Sequence, residues 1–390
     1  MSEYWNSRTK NLSPYIPGEQ PKDRRFIKLN TNENPYPPSP KVIEAIQKAV
    51  NENLRLYPDP GCGELREAAA ARYGVRPEQV FAGNGSDEIL AFAFGAFFEG
   101  GAGNAEPILF PDITYSFYPV YAGLWDIPYR TIPVDNDFCI KTVDYEIPSG
   151  GAVFPNPNAP TGIALPLNDI LSLAKYLEKQ GKVLVLDEAY IAFGAAVDAA
   201  NSAAYGAESA VPHINEHPNL LTVHTLSKSA SLAGLRAGFA IGNEKLIEGL
   251  CRVRDSFNSY TLDRLAQAGA AAAVSDAAYY DEINRRVTAT RERVVKTLQN
   301  TGCTVLPSAA NFILIKVPDM YRSGTLSTRG ADFFAALRER GILVRHFNKE
   351  RIADYLRVSI GTDGDMDMFL DACREICGNK ESTNDANVNE

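Results

Sequence analysis

The sequence predicts an α/β protein with a large domain on a mostly parallel central sheet and a smaller α+β domain after it. Three features carry this. Between about residues 63 and 242, short apolar runs that stop at polar, Gly or Pro residues alternate with helical segments. From about Asp263 to near Asn300 runs a long, alanine-rich helical stretch. Beyond it the pattern changes to strand, helix, strand, strand. Continuous apolar strands alternating with helices make sheets covered on both faces, and such sheets bind ligands beyond the carboxyl ends of their strands. A chain of 390 residues is long enough for two cores.

In chain order, LNTNENPYPPSP (residues 29–40) is a loop by its Pro and Asn content, and helical periodicity starts at Pro40-Lys41. The expected strands of the sheet are Gln79 to Ala82, Pro107 to Phe110, Ala152 to Phe154, Val183 to Leu186, Leu220 to Val223 and Ala237 to Ile241. In the smaller unit NFILIKV, GILVRHF and LRVSIGT read as strands and ADFFAALRERG as a helix. The expected division is an N-terminal arm and part of the small domain (1–45), a large domain (46–275), a small domain (276–378) and a polar, disordered tail (379–390).

The net charge of -9 argues against nucleic acid or an anionic membrane as the main partner. No apolar run approaches the roughly 20 residues of a membrane span. MSEYWNSRTKNLSPY lacks a signal-peptide core, so a cytoplasmic protein is expected. The six cysteines form no CxxC pair. His213 and His217 are four apart, but Pro212 and Pro218 disfavour a helical metal pair, and no metal is expected.

The residues with chemical potential fall at strand ends. Lys228 follows the strand at Val223 and sits between Ser227 and Ser229, with Arg236 eight residues on. A partly buried lysine loses proton affinity and can form a Schiff base, and a cation with hydroxyls around it suits a phosphate-bearing aldehyde. Asp187 ends the buried run Val183 to Leu186, where a carboxylate is costly unless paired. A protonated pyridine nitrogen, as in pyridoxal 5′-phosphate, would pair with it and keep the ring an electron sink. Tyr190, three residues on, can reach the ring oxygen. In GNGSDEIL, Gly85, Ser86 and Asp87 open a helix whose free N–H groups suit a phosphate. Tyr115 could stack on the ring or simply fill the rim. The loop PNPNAPTG could present an amide or be a structural turn. Arg345 and Arg357, in short apolar strands, could clamp a carboxylate or form surface ion pairs.

The chain resembles the fold-type I, pyridoxal-phosphate-dependent aminotransferases, and within them the histidinol-phosphate aminotransferases. The resemblance runs through NENPYP, LYPDP, GNGSDE, ITYSFY, PNAPTG, DEAYIAF, TLSKSASLAGLRAGF, NFILI and LRVSIGT. It implies that Lys228 holds the cofactor and shuttles a proton, that Asp187 pairs with the ring nitrogen, and that Tyr190 binds the ring oxygen. It implies Tyr115 on the ring face and Gly85, Ser86, Asp87, Ser227 and Arg236 around the phosphate. Tyr57 would reach the phosphate of a neighbouring subunit, making a homodimer with shared active sites. Arg357 would take the substrate carboxylate, and Arg345, Tyr15 and Asn34 would lie near its distal anion. Where many relatives have Asn before the proline, this chain has Ala159, leaving Asn158 or Tyr190 to hold the ring oxygen. The implied substrates are an amino donor, glutamate, and an oxo-acceptor, the keto form of histidinol phosphate. A threonine-phosphate decarboxylase or an aromatic amino-acid aminotransferase shares most of these motifs. A cofactor-binding regulator without turnover would need a DNA-binding unit, for which the first 40 residues are too short and Pro-rich.

Overall fold

The computed structural model describes residues 3–378 apart from 17, 22–24, 102, 104, 195–205, 301–302, 320 and 322–327. The tail 379–390 lies outside the described residues. The strands are β1 (Ile27–Lys28), β2 (Val80–Gly83), β3 (Ile108–Pro111), β4 (Tyr129–Ile132), β5 (Ala152–Pro155), β6 (Leu184–Asp187), β7 (Leu220–Thr225), β8 (Gly238–Gly242), β9 (Thr304–Val305), β10 (Phe312–Lys316), β11 (Ile342–Leu343), β12 (Arg345–His346) and β13 (Tyr355–Ser359).

Seven strands make the central sheet, in the order β2-β8-β7-β6-β5-β3-β4. All pairs are parallel except those of β8, which runs antiparallel to both β2 and β7. Every residue of β2, β3, β5, β6, β7 and β8 is buried. That burial is why these strands read as largely apolar runs. The edge strand β4, YRTI, went unread because three of its four residues are exposed and no apolar run marks it. Two core clusters sandwich the sheet, one with Phe81, Phe94 and Phe110, the other with Phe154, Leu173 and Leu186.

The smaller unit is a four-stranded sheet, β12-β13-β10-β9, covered by the helices Arg329–Glu339 and Asp363–Gly378. β1 and β11 form a separate two-stranded parallel sheet, Ile27 opposite Ile342. The alanine-rich stretch expected as one helix is two, Arg264–Ser275 and Ala277–Asn300. Between them Asp276 leaves helical geometry (φ -97°, ψ 50°). Its carboxylate accepts hydrogen bonds from the Ser39 hydroxyl and from Lys41 Nζ at 2.6 Å, tying the N-terminal loop to the break.

Candidate active site

The carboxyl ends of β3, β5, β6 and β7 open on a cavity of ≈ 260 Å³ at the junction with the smaller unit. Among the residues lining it are Tyr15, Ser86, Asp87, Tyr115, Asp187, Tyr190, Ser227, Lys228, Arg236, Arg345 and Arg357, drawn from positions more than 300 apart in the chain.

Lys228 follows β7, and its Nζ donates to the carbonyl oxygen of Thr31 at 2.9 Å. Burial, reinforced by the positive charge of Arg357, lowers its proton affinity to a pKa of about 8. A fraction of the amine is therefore neutral, hence nucleophilic, near neutral pH.

Asp187 is the last residue of β6. Its carboxylate accepts from the Ala189 N–H at 3.1 Å and from the Tyr118 hydroxyl at 3.4 Å. Burial outweighs both bonds and pushes its pKa up to about 7. A cationic N–H facing it would remove that penalty, which is the fit expected of a protonated pyridine ring. Glu188 turns the other way: it accepts from Ser209 and Ala210 and faces the buried His224 at 3.6 Å, away from the cavity.

At one end of the cavity Arg236 Nη2 pairs with Asp87 at 2.9 Å, and its Nη1 reaches Ser227 Oγ at 3.4 Å. Asp87 also accepts from the Tyr115 hydroxyl at 2.6 Å. Gly85 adopts a left-handed backbone (φ +78°), and a Cβ there would come within 2.9 Å of Arg236 Nη2. The helix Gly85–Phe97 starts here, so its free N–H groups, a guanidinium and the Ser86 and Ser227 hydroxyls converge where a phosphate would sit.

The other end carries the two arginines. Arg345 in β12 and Arg357 in β13 are register partners. Arg357 is half-buried and donates to the Asn30 carbonyl at 2.9 Å, and its Nε has no partner among the described residues. Burial and the charge of Arg345 hold its pKa below the usual guanidinium value. Among the described residues neither arginine has a carboxylate partner. Tyr15 stacks on Phe117 with centroids 4.2 Å apart and completes this wall.

Three expected residues stand elsewhere. Asn158 does not line the cavity: its amide donates to the Ile113 carbonyl and Thr161 Oγ1 and accepts from Thr114, so the polar group is consumed inside its own loop. Ala159 meets the cavity instead. Asn34 donates to the Lys228 carbonyl at 3.1 Å and to Asn284 at 3.2 Å, and so holds the lysine's backbone rather than facing the cavity. Tyr57 is 78% exposed, stacked on Tyr260, and is not part of its own chain's cavity. Sequence reasoning missed Asn30, Thr31 and Asn32, which line the wall beside Lys228 and Tyr190. Their one signal was an asparagine-rich loop, a pattern shared by ordinary turns.

Comparison with known proteins agrees with this architecture. Residues 24–373 match the family described as aminotransferase class I and II. The chain is 51% identical over 377 residues to histidinol-phosphate aminotransferase 2 of Thiobacillus denitrificans, covering 96% of this chain and 98% of that protein. It is 51% identical over 381 residues to the histidinol-phosphate aminotransferase of Acetobacter pasteurianus, covering 97% and 99%. The crystal structure of histidinol-phosphate aminotransferase from Sinorhizobium meliloti, in complex with pyridoxal-5'-phosphate, shares the fold with a TM-score of 0.82 at 23% identity, covering 97% of this chain and 99% of that one.

Proposed function

Because this chain belongs to the aminotransferase class I and II family, we propose that it transfers an amino group between glutamate and the keto form of histidinol phosphate, as an enzyme of histidine biosynthesis working with pyridoxal 5′-phosphate. One observation carries the reading. A single cavity holds a half-buried amine, a buried carboxylate and an arginine–hydroxyl cradle, and two arginines, without carboxylate partners among the described residues, face it from the other side.

When bound, pyridoxal phosphate supplies an aldehyde for the substrate nitrogen and a cationic ring that draws electrons from the neighbouring carbon. The protein's residues supply the rest. Lys228 would hold the group and, with its lowered proton affinity, take up and return a proton at Nζ. Asp187 would keep the ring nitrogen protonated. Ser86, Ser227 and Arg236 would hold the phosphate, Tyr190 the ring oxygen, and Tyr115 would lie at the ring.

Arg357 would take the α-carboxylate of glutamate. Arg345 and Tyr15 would take the distal anion, a carboxylate in glutamate and a phosphate in the other substrate. The printed names of relatives at about half identity support that choice. The stacked Tyr15–Phe117 wall suits a planar ring, which favours aromatic amino acids as secondary substrates.

The reading includes a cytoplasmic homodimer with shared sites. Leu54, Leu56, Tyr57, Phe257 and Tyr260 are large apolar side chains left exposed, and Tyr57 lies outside its own cavity. A second copy covering them would bring Tyr57 to the partner's phosphate. The test is a half-reaction panel. The cofactor-loaded protein is mixed in turn with histidinol phosphate, glutamate, phenylalanine and threonine phosphate, and the visible spectrum is followed. Conversion fastest with histidinol phosphate supports the proposal, and a stronger response to threonine phosphate or phenylalanine overturns the substrate.

A further inference from the structure

Tyr190 projects its hydroxyl toward the cavity wall, where Asn32 Nδ2 lies 2.9 Å away. We infer that Asn32 is a positioning residue that makes the Tyr190 hydroxyl a hydrogen-bond donor toward the cavity. The inference rests on the reading of the cavity as a pyridoxal-phosphate site and assigns a role to a residue outside that reading.

Asn32 is held on every side. It is 1% exposed and has a left-handed backbone (φ 55°), a conformation that asparagine tolerates better than most residues. Its N–H donates to Ser359 Oγ at 2.8 Å, and its carbonyl accepts from Asn311 Nδ2 at 2.9 Å. The Ser359 hydroxyl in turn donates to Asn32 Oδ1 at 2.9 Å. This last bond decides which way the amide faces. Ser359 Oγ already accepts the Asn32 N–H, so its own hydrogen needs an acceptor, and Oδ1 is that acceptor. The NH₂ end is then left to face Tyr190.

A phenol oxygen that accepts a hydrogen bond from an amide has its own hydrogen free to point elsewhere. For Tyr190 the open direction is the cavity. The loop residue beside it, Ala159, offers only a methyl group, and the Asn158 amide is consumed behind the wall. Without Asn32 the phenol hydrogen could turn to any nearby acceptor. With it, the donor direction is set before the cofactor arrives, so no reorganisation is needed on binding. The ends of two distant segments, β13 at Ser359 and the loop after β1, thereby orient one hydroxyl on the segment after β6.

Two variants separate this from a structural role. Asn32→Gly removes the amide and keeps a residue at ease with positive φ. Asn32→Asp is isosteric but presents only acceptors, turning the phenol hydrogen away from the cavity. The readout is the pH midpoint of the visible absorption band of the cofactor-loaded protein, which depends on hydrogen-bond donation to the ring oxygen. Donation there stabilises the deprotonated ring oxygen, so losing it raises the midpoint. Both variants should shift the midpoint upward by about half a unit or more, in the direction of Tyr190→Phe. The shift in Asn32→Asp with Tyr190→Phe should not exceed that of Tyr190→Phe alone. A far-ultraviolet spectrum and melting curve check that each variant folds, and Asp keeps the test open should Gly not fold. If the parent shows a visible band whose midpoint moves in Tyr190→Phe but not in a folded Asn32 variant, the inference fails while the cofactor reading stands. If the parent shows no visible band with pyridoxal phosphate, both fall.

Discussion

Arg345 and Arg357 stand opposite each other in register on the adjacent strands β12 and β13, and both line the cavity. Two like charges facing across a strand pair repel, and among the described residues no carboxylate neutralises either one. An anion bound at either one offsets this repulsion. Arg345→Ala should therefore lower kcat/KM for histidinol phosphate about tenfold or more, the scale for losing a partly buried charge-assisted contact. Phenylalanine, whose one anion is the α-carboxylate that Arg357 would take, should lose less than about threefold. Equal losses on both substrates would show that Arg345 does not read the distal anion.

The depressed proton affinity of Lys228 makes a kinetic prediction. Only the neutral amine attacks an aldehyde, so the rate at which cofactor-free protein captures pyridoxal phosphate should rise with pH around a midpoint near 8, below the ordinary lysine value of 10.5. Borohydride reduction should leave the adduct on Lys228, and Lys228→Ala should leave none there. Mass spectrometry placing it on another lysine would remove Lys228 from its role.

Asp187 combines loss of activity with a gain in stability. Its folded-state pKa is raised from 3.8 to about 7, so burial favours the protonated carboxyl below that pH. A raised carboxyl pKa means the fold binds more protons than the unfolded chain between those values. The stability contribution is intact below pH 3.8 and is lost as pH rises through 7. Cofactor-free Asp187→Asn should thus melt higher than the parent at pH 8, by roughly a few degrees, and no higher near pH 4. Turnover of the loaded variant should fall at least ~10²-fold, as for loss of a preorganised charge. A melting difference independent of pH would contradict the burial argument.

Gly85 tests the anion cradle. A methyl group there would press on Arg236 at 2.9 Å from a backbone at φ +78°. Gly85→Ala should weaken retention of pyridoxal phosphate about tenfold by displacing the guanidinium, and weaken pyridoxal, which lacks the phosphate, much less. Equal weakening of both ligands would place the phosphate elsewhere.

Tyr57 tests the shared site. The protein should sediment as a dimer, and Tyr57→Phe should weaken cofactor retention about tenfold without changing the dimer. Full activity of a monomer at nanomolar concentration would rule the arrangement out.

The residues at the ends of β6 and β7 were legible from sequence because burial leaves a mark there. The four apolar residues Val183 to Leu186 stopping at Asp187, or the mainly apolar run Leu220 to Val223 stopping short of Ser227 and Lys228, already imply a covered strand that delivers a polar group to one edge of the sheet. The same logic made the fold class readable, and it failed at β4, where exposure erased the apolar run. Burial thus writes the sheet, its cavity-bearing edge, and the amine and carboxylate standing on it into local stretches of the chain. Which neighbours complete them depends on long-range packing. Thirst for hydrogen bonds is the same for every asparagine, and nothing local distinguishes Asn32, which reaches Tyr190, from Asn34 and Asn158, which are consumed by other partners. Their partners lie 158, 194 and 45 residues away, so the choice among them is made by the packing of distant segments and by the requirement that each buried polar group find a partner.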